Sequence, residues 1–468
     1  MKFRFSINLL ADIRFWLILF FLIRLIHITQ PPLESSHNWR QSFTAMMARN
    51  FVEGNGNIFT PSVNYNGEKE GIVGAEFPVL SYSIALVSKL TGYQHWTGRL
   101  INLIVSTLGV YCFYLLVFQY FNRRMALFSA ILLMMSVWLM FSRKIMPDTF
   151  SVSLALFSLY FGVNYLKRGK IHHLILFFVF GTLGVLAKMP AAIILSLLVP
   201  LVFSKIYQKK YRIILFAGGT LILVLLFFWY FYYVPFLVKT YGNQLFFTRT
   251  LSEGLRDIRL FGSDLFNKFS FAAFQGYLGF VAFLAGLILA VIRKQKKILF
   301  VFLVSYVFLL VYVVKTGYVF ATHSYYIIPF VPVMALIAGY ALSEIKPVWI
   351  GALLLIIVSA ESFANQQHDV NINENEKIKL RYEIIADKYI PKESLVLTNG
   401  DMNPQQIYFI NRKGWTVTNE ELSNKELVNS LKNRGLEFVF LNTCSKGTPD
   451  MLNEVVYKEK CIKLYRLD

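Results

Sequence analysis

Ionisable side chains recur at the ends of long apolar segments in this chain of 468 residues, and their types suit transfer chemistry at a phosphate. A carboxylate can act as a general base on an acceptor hydroxyl or amine. Arg, Lys and His side chains can hold a phosphate and stabilise its charge as a bond to it breaks. The ionisable candidates are Glu34, His37, Arg40, Glu76, Arg143, Asp148, Lys188 and His323, and the amide of Gln41 joins them. Charges at membrane depth are costly, so such residues usually face a cavity and have a role.

The apolar segments that carry these residues indicate a polytopic membrane protein. The chain is 56% hydrophobic and 16% charged, with a mean hydropathy of +0.51, whereas soluble domains are about one-quarter charged. A membrane-spanning helix needs about 20 mainly apolar residues. We predict about eleven spans, near 11–29, 97–120, 125–142, 149–166, 172–187, 190–204, 213–234, 271–292, 298–314, 324–342 and 347–362.

Two parts of this pattern leave alternatives open. Segments 172–187 and 190–204 meet at Lys188-Met189-Pro190 and alternatively form one broken helix. The stretch 78–90 is too short to span and favours a helix at the membrane interface. The first segment is longer than a secretory signal and no small-residue cleavage site follows it, so we interpret it as an uncleaved anchor.

Basic residues are concentrated in alternate loops, which predicts the orientation. Lys2 and Arg4 precede the first span, and further clusters lie at 123–124, 167–170, 205–212 and 293–297. The positive-inside rule places these clusters, and the N-terminus, in the cytoplasm. Loops 30–96, 143–148, 188–189, 235–270 and 315–323 and the tail from 363 then lie outside. All nine candidate residues therefore share the outer face of a cytoplasmic (inner) membrane.

The net charge of +20 would indicate a nucleic-acid partner in a soluble protein. Here the basic clusters orient the chain and attract anionic membrane lipid, so no nucleic-acid partner is predicted. Cys112 lies inside an apolar segment and is interpreted as packing. Cys444 and Cys461 lie in the exported tail, where a disulfide is permitted, although sequence does not establish that they pair.

The composition changes near residue 363, which predicts a membrane domain at 1–362 and an extracytoplasmic α/β domain at 363–468. Predicted strands lie at 394–399, 437–442 and 461–467, and predicted helices at 374–389, 403–410 and 424–434. The tail has no Gly-rich phosphate loop and no metal-ligand cluster. We interpret it as a structural cap or an acceptor-docking module.

The first outer loop, 31–96, begins with a helical pattern at 37–53. Its apolar residues fall on one side, and Arg40, Gln41, Arg49 and Glu53 fall on the other, which predicts an amphipathic helix at the membrane interface. Residues 54–75 are rich in Gly, Asn and Pro and predict an irregular loop.

Several candidates also have a purely structural interpretation. Glu34 suits a solvated position at a helix end, and His37 suits a position at the membrane interface with no chemical role. Arg40 and Arg49 suit contact with lipid headgroups. Asp148 is a favoured helix N-cap. Lys188 can extend its amine to the membrane surface, and His323 can belong to an aromatic belt at the interface. The functional interpretation depends on all of these residues sharing one face.

The chain resembles the GT-C glycosyltransferases, specifically the superfamily of protein O-mannosyltransferases and lipid A aminoarabinose transferases. Glu34-Ser35-Ser36-His37 has the spacing of that superfamily's Asp-Glu-x-His motif, with Ser35 replacing an acid. HNWRQ at 37–41, followed by Thr44-Ala45 and 48–51, is similar to a bacterial branch, many members of which have Asp where this chain has Phe43. Shorter similar pieces are EFP at 76–78, MPD at 146–148, AKMP at 187–190 and HSYYIIPF at 323–330.

The resemblance implies a GT-C-like helical membrane protein that uses a polyprenyl-phosphate sugar donor in a metal-independent, inverting transfer to a glycan, lipid or protein acceptor. It assigns Glu34 as general base, with Asp148 orienting the acceptor or the base. His37, Arg40, Gln41 and Lys188 then contact the substrates. Arg143 and His323 support the same cavity, and Glu76 is the rival base. No cofactor besides the donor is expected, and a divalent metal near Glu34 is left open.

Three other functions fit parts of the pattern. A glycan ligase or polymerase also has outer-face Arg and His residues, but its large outer loop comes late in the chain rather than first. A flippase or transporter favours charges near the midplane and internal repeats, neither of which occurs here. A non-catalytic subunit that binds lipid-linked sugar fits the departures at Ser35 and Phe43.

Overall fold

The computed structural model describes residues 7–54, 56–245, 248–447, 449 and 454–467, and these are mainly helical. Up to residue 370 the α-helices are Ile7–Leu10, Ile13–Leu25, Asn38–Glu53, Val79–Thr91, Thr97–Tyr120, Arg123–Met135, Val137–Phe141, Pro147–Arg168, Ile171–Ala187, Ala192–Leu195, Val199–Phe203, Lys209–Phe227, Val234–Tyr241, Leu251–Leu260, Gly262–Asn267, Tyr277–Ile292, Lys296–Thr316, Tyr318–Thr322, Val331–Glu344 and Val348–Gln366. Short 3-10 helices are Met189–Ala191, Ser196–Leu198, Ser324–Phe330 and Gln367–Val370, and π-helices are Phe228–Tyr233 and Lys268–Ala272. The predicted α-helical polytopic class is confirmed.

Six helices in the described residues are long and apolar enough to cross a membrane. A seventh span results if Gly262–Ala272 and Tyr277–Ile292, which are bent by 91°, are counted together. The six are Thr97–Tyr120, Pro147–Arg168, Lys209–Tyr241, Lys296–Thr316, Ser324–Glu344 and Val348–Val370. The count of eleven therefore stays a prediction, because several of its segments are short or broken helices.

Single polar residues and prolines account for two of these breaks. Ser136 ends one helix and caps the next, since its hydroxyl accepts a hydrogen bond from the backbone N–H of Trp138 at 3.2 Å. The predicted segment 125–142 is thus two helices. The backbone is extended at Lys188, and the chain becomes helical again at Met189, with Pro190 in the first turn, where its missing N–H costs nothing.

The described chain forms two compact units that do not follow chain order. The helical unit comprises Met1–Ile28, Arg99–Tyr232 and Phe246–His368. The mixed unit comprises Thr29–Gly98, Tyr233–Leu245 and Asp369–Asp468, so it combines the first loop with the tail.

Two helices form the centre of the helical unit. In both Pro147–Arg168 and Ser324–Glu344, 89% of the most apolar window is buried. In Lys209–Tyr241, Lys296–Thr316 and Val348–Val370 that share is 22–28%. Helices that expose most of their apolar surface in this way are suited to contact with lipid.

The tail forms the predicted α/β fold around one five-stranded sheet. Its strands are β1 (Leu395–Thr398), β2 (Gly414–Thr416), β3 (Leu436–Asn442), β4 (Glu454–Glu459) and β5 (Ile462–Arg466), and its helices are Glu374–Arg381 (3-10), Tyr382–Tyr389, Gln405–Ile410, Asn419–Ser423, Lys425–Lys432 and Thr443–Lys446. The strand order is β2-β1-β3-β5-β4. β1 pairs in parallel with β2 and β3, and β5 pairs antiparallel with β3 and β4. Cys444 and Cys461 form a disulfide.

Within the mixed unit, the tail holds the beginning of the first loop. The indole N–H of Trp39 donates to the carbonyl of Met402 at 2.8 Å. The side-chain amide of Gln405 donates to the carbonyl of Pro32 at 2.8 Å, and Glu34 forms a β-bridge with Ile372. The segment before helix Asn38–Glu53 is therefore positioned by residues of the tail, far later in the chain.

An ion cluster joins the other end of the same helix to the tail. Arg49 donates to both carboxylate oxygens of Glu383, with Nη1 to Oε2 at 2.9 Å, and its Nε donates to Glu53 at 2.6 Å. The amide of Asn411 donates to Glu383 at 3.2 Å. The Arg49 side chain is 11% exposed. The predicted helix is confirmed, but its polar side is only partly solvated, because Gln41 and Arg49 are buried while Glu53 is exposed.

Next to this cluster, two tyrosines and a histidine share hydrogen bonds. The hydroxyl of Tyr408 lies 2.8 Å from that of Tyr93 and 2.6 Å from Nδ1 of His95. Tyr93 also donates to the carbonyl of Ala45 at 3.1 Å. Burial lowers the pKa of His95 from its ordinary 6.5 to about 4, and the positive charge of Arg49 acts in the same direction.

We expect Arg49→Met to lower the free energy of unfolding by about 2 kcal/mol, because it leaves two carboxylates without their cation in a partly buried site. Thermal or denaturant unfolding of the purified protein in detergent measures this loss. The matched control is Arg293→Met, whose pair with Glu344 is 45% and 32% exposed and contributes less than about 1 kcal/mol. Equal losses in the two variants would contradict the structural importance of the cluster.

We expect His95 to make stability depend on pH. The folded state holds His95 neutral down to about pH 4, whereas the unfolded state takes up a proton near pH 6.5. The free energy of unfolding therefore falls as the pH drops through this window, by at most about 1.4 kcal/mol per pH unit. Unfolding curves from pH 7 to pH 4 for wild type and His95→Gln measure it. Parallel pH dependence in the two proteins would show that His95 contributes nothing.

Candidate functional site

In the helical unit, a buried asparagine organises the loop that leads to Asp148. The amide N–H groups of Asn102 donate to the carbonyls of Phe141 at 3.0 Å and Lys144 at 2.8 Å. Its Oδ1 accepts from the hydroxyl of Thr149 at 3.1 Å. Asn102 is fully buried. The sequence analysis missed it, because one Asn in an apolar helix is typical of packing.

Asp148 lies in the first turn of helix Pro147–Arg168, and Met146 occupies the N-cap position. The structural interpretation of Asp148 as the cap is therefore wrong. A carboxylate in the first turn is still favoured by the partial positive charge of the helix N-terminus. The carboxyl of Asp148 is 2% exposed and forms an ion pair with the amine of Lys188.

Lys188 has an extended backbone and lies between two helices. It is buried, with 9% of its side chain exposed. Its amine lies 4.6 Å from the ring centre of Tyr325 and 5.4 Å from that of Tyr326. Aromatic faces attract cations, and the attraction strengthens as water is excluded. Lys188 therefore points into the protein rather than towards the membrane surface.

His323 lies beside the same aromatic pair, immediately before the 3-10 helix Ser324–Phe330. Its ring centre is 5.3 Å from that of Tyr325, and its Nδ1 lies 3.1 Å from the carbonyl of Val319. Burial lowers the pKa of His323, and the positive charges of Lys188 and Lys268 lower it further. Lys268 is itself buried. The sequence analysis missed Lys268, although a lysine within the apolar stretch 265–274 is an available signal.

Arg143 is buried and donates to backbone carbonyls at the end of the first helical segment. Its Nη1 lies 2.5 Å from the carbonyl oxygen of Ile26, and its Nη2 lies 3.4 Å from that of His27. These contacts fix the loop 143–146 against residues 26–27. Of the predicted site residues, the helical unit thus brings together Asp148, Lys188 and His323, and Arg143 belongs to the loop that precedes Asp148.

In the mixed unit, Glu34 and Gln41 form a buried pair. The amide N–H of Gln41 donates to Oε2 of Glu34 at 3.0 Å, and Gln41 is 0% and Glu34 1% exposed. Glu34 lies in an extended segment and Gln41 in the first turns of helix Asn38–Glu53. Glu34 is therefore not the solvated acid that its position at a helix end also allowed.

Arg40 and Glu76 form a second pair in the same unit. Arg40 Nη2 lies 2.7 Å from Glu76 Oε2, with side chains 12% and 19% exposed. The guanidinium also lies 5.1 Å from the ring centre of Phe43. His37, immediately before the helix, adopts a positive φ of 64°, which is uncommon for a residue with a side chain. The mixed unit thus holds the remaining predicted site residues, which are Glu34, His37, Arg40, Gln41 and Glu76.

No group of three or more His, Cys, Asp or Glu side chains within the described part of the chain has a geometry that could hold a metal ion. The charged groups of the two units are instead paired carboxylates and cations. Such groups can accept a proton, donate hydrogen bonds to a phosphate and stabilise its negative charge.

Comparison with known proteins finds one family model that matches part of the chain. Residues 75–232 match the family model described as dolichyl-phosphate-mannose-protein mannosyltransferase. No curated protein sequence matches the chain.

Solved structures of transferases share the fold over nearly the whole chain. ArnT from Cupriavidus metallidurans bound to undecaprenyl phosphate superposes with a TM-score of 0.60 at 12% identity, covering 96% of this chain and 98% of that one. The archaeal oligosaccharyltransferase AglB from Archaeoglobus fulgidus, in complex with an inhibitory peptide and a dolichol-phosphate, gives 0.57 at 11% identity, covering 92% and 69%. These comparisons show that the chain has the fold of these transferases and resembles the mannosyltransferase family over residues 75–232.

Proposed function

We propose that this protein is a membrane glycosyltransferase that moves a sugar from a polyprenyl-phosphate donor to a glycan, lipid or protein acceptor on the outer face of the cytoplasmic membrane. The observation that carries the proposal is the burial of two carboxylates, Glu34 and Asp148, each bonded to a polar partner, in a GT-C fold. Burying such groups is costly, and proteins retain them mainly where they function. The solved relatives bound to undecaprenyl phosphate and dolichol-phosphate support the choice of donor.

The proposed reaction is a single displacement at the sugar. Glu34 accepts the proton of the acceptor hydroxyl or amine as that atom attacks the anomeric carbon. The bond from this carbon to the phosphate oxygen breaks, and its electron pair leaves with the polyprenyl phosphate. Gln41 fixes the orientation of the Glu34 carboxylate through its 3.0 Å hydrogen bond. Fixed orientation of this kind is how a positioned base gains rate.

Cationic side chains stabilise the charge that develops on the leaving phosphate. Lys188 is suited to this role because Asp148 and the Tyr325 ring hold its amine at one position. Positive charge that is already in place in a water-poor site lowers the barrier to many transfer reactions more than any other single effect. Arg40 and His37 contact the donor phosphate or sugar. Arg143 holds the loop before Asp148, and His323 packs beside Tyr325.

Glu76 is the rival base, and its partner argues for a different role. A carboxylate paired with a guanidinium is stabilised in its charged form and so accepts a proton less readily. The 2.7 Å contact with Arg40 therefore favours Glu76 as the residue that orients this arginine. In the same proposal, the tail at 363–468 serves as a structural brace for the first loop.

Transfer from labelled polyprenyl-phosphate sugars by purified protein in lipid tests the function. We expect Glu34→Gln to lower kcat by roughly 10²–10⁴-fold with unchanged donor binding, because a general base contributes a factor of this size. Glu374→Gln is the matched control, since that carboxylate is 80% exposed. Loss of activity in Glu76→Gln but not in Glu34→Gln would move the base to Glu76. A wild type that binds donors but consumes none across a range of acceptors would favour the non-catalytic binding subunit.

A double-mutant cycle separates the proposed role of Lys188 in donor binding from a purely structural one. Lys188→Met strands the buried carboxyl of Asp148, so we expect a loss of roughly 3 kcal/mol in unfolding free energy. Adding Asp148→Asn removes that charge and restores part of the loss, giving a coupling of about 1–3 kcal/mol. Donor affinity should stay at least roughly tenfold lower in both variants, because charge-assisted contacts to phosphate are strong. Recovery of donor binding in the double variant would show that Lys188 only stabilises the fold.

A further inference from the structure

A cavity of about 470 Å³ lies in the helical unit, away from the candidate site residues of that unit. Its walls are almost entirely apolar and include Leu116, Val117, Leu159, Leu201 and Leu336. Its volume falls in the range of cavities that bind small molecules. The lining residues are Phe121 and residues of helices Thr97–Tyr120, Pro147–Arg168, Lys296–Thr316 and Val331–Glu344 and of the segment 194–207.

The cavity lies along the middle and the C-terminal half of helix Pro147–Arg168, whereas Asp148 lies in its first turn. Leu156, the lining residue of this helix that is nearest to Asp148 in the sequence, lies twelve residues before Arg168, which is about 18 Å along the axis. The hydrocarbon core of a bilayer is about 30 Å thick, so this depth is close to one leaflet. A chain bound there therefore reaches from one membrane surface to about the bilayer centre.

Positive charge is concentrated at the mouth of the cavity. Lys296 and Lys297 line it and form the first turn of helix Lys296–Thr316, where the partial positive charge of the helix adds to theirs. The amine of Lys297 also lies 3.5 Å from the carbonyl oxygen of Tyr120. The hydroxyl of Tyr120 lies 3.0 Å from the hydroxyl of Tyr207. None of the lining residues, all of which the structure describes, is acidic.

We propose that this cavity binds one acyl chain of an anionic phospholipid, with the lipid phosphate held by Lys296 and Lys297. An apolar slot one leaflet deep fits an acyl chain, and the two lysines at its mouth complement a negative headgroup. Tyr120 and Tyr207 supply hydroxyl groups at headgroup level, as tyrosines do at membrane interfaces. This lipid is distinct from the sugar donor. Its binding to the cavity does not require that the protein has the proposed function.

Native mass spectrometry of the delipidated full-length protein tests the proposal. Phosphatidylglycerol and phosphatidylcholine with identical acyl chains are titrated separately, and the lipid-bound fraction is measured. We expect wild type to bind phosphatidylglycerol more tightly, and the double substitution Lys296→Gln/Lys297→Gln to weaken that binding roughly tenfold or more, since each basic residue near an anionic headgroup contributes substantially. The matched control is Lys209→Gln/Lys210→Gln, which removes the same charge from exposed residues that do not line the cavity.

A second variant tests the cavity rather than the charge. Leu201→Trp places a large side chain in the slot from a half-buried position, and we expect it to remove binding of both lipids. Equal binding of the two lipids by wild type, an equal loss in the control, or unchanged binding in Leu201→Trp would each overturn the proposal. So would stoichiometric displacement of phosphatidylglycerol by added polyprenyl phosphate, which would assign the cavity to the donor lipid.

Discussion

The ion pair between Asp148 and Lys188 imposes the constraint that organises the helical unit. Neither charge is exposed by more than 9%, and an isolated buried charge costs several kcal/mol, so each requires the other nearby. The helix that carries Asp148 packs against Ile171–Ala187, and that helix ends so that Lys188 takes an extended conformation. On another side, the 3-10 helix Ser324–Phe330 brings two tyrosine rings to the amine. The extended residue Lys188 and the 3-10 helix Ser324–Phe330 therefore lie where the charges are.

The mixed unit also pairs its buried charges with opposite charges, but it does so with different residues. Arg49 is shared between Glu53, four residues later, and Glu383 in the tail. Asn411 donates a further hydrogen bond to Glu383, and Tyr93 and Tyr408 share one nearby. A half-satisfied buried network is worse than an apolar core, so these residues depend on one another. The helix that begins next to His37 is held at both ends by residues of the tail, which keeps Glu34, Arg40 and Gln41 in register.

Sequence reasoning was most successful where burial imposes a simple pattern. Strands β1, β3 and β5 are short apolar runs and were predicted, whereas β2 has three residues and β4 is a largely exposed polar edge, so neither has that pattern. The break at Ser136 and the role of Asn102 depend on single polar residues whose partners lie elsewhere in the chain. The pairing of Arg40 with Glu76, 36 residues apart, is likewise a tertiary contact that no local spacing encodes. Candidate residues could therefore be named from the sequence, but their partners could not.

The bracing of the first loop by the tail has a consequence for biosynthesis. Pro32, Trp39 and Arg49 are synthesised early, but the groups that bond to them lie 373, 363 and 334 residues later, at Gln405, Met402 and Glu383. The first loop can therefore reach its final structure only after synthesis has passed Gln405, 373 residues after Pro32. A nascent chain that already contains every predicted site residue still lacks the contacts that hold the Glu34 segment. Assembly of this segment is thus delayed until those residues of the tail have been synthesised.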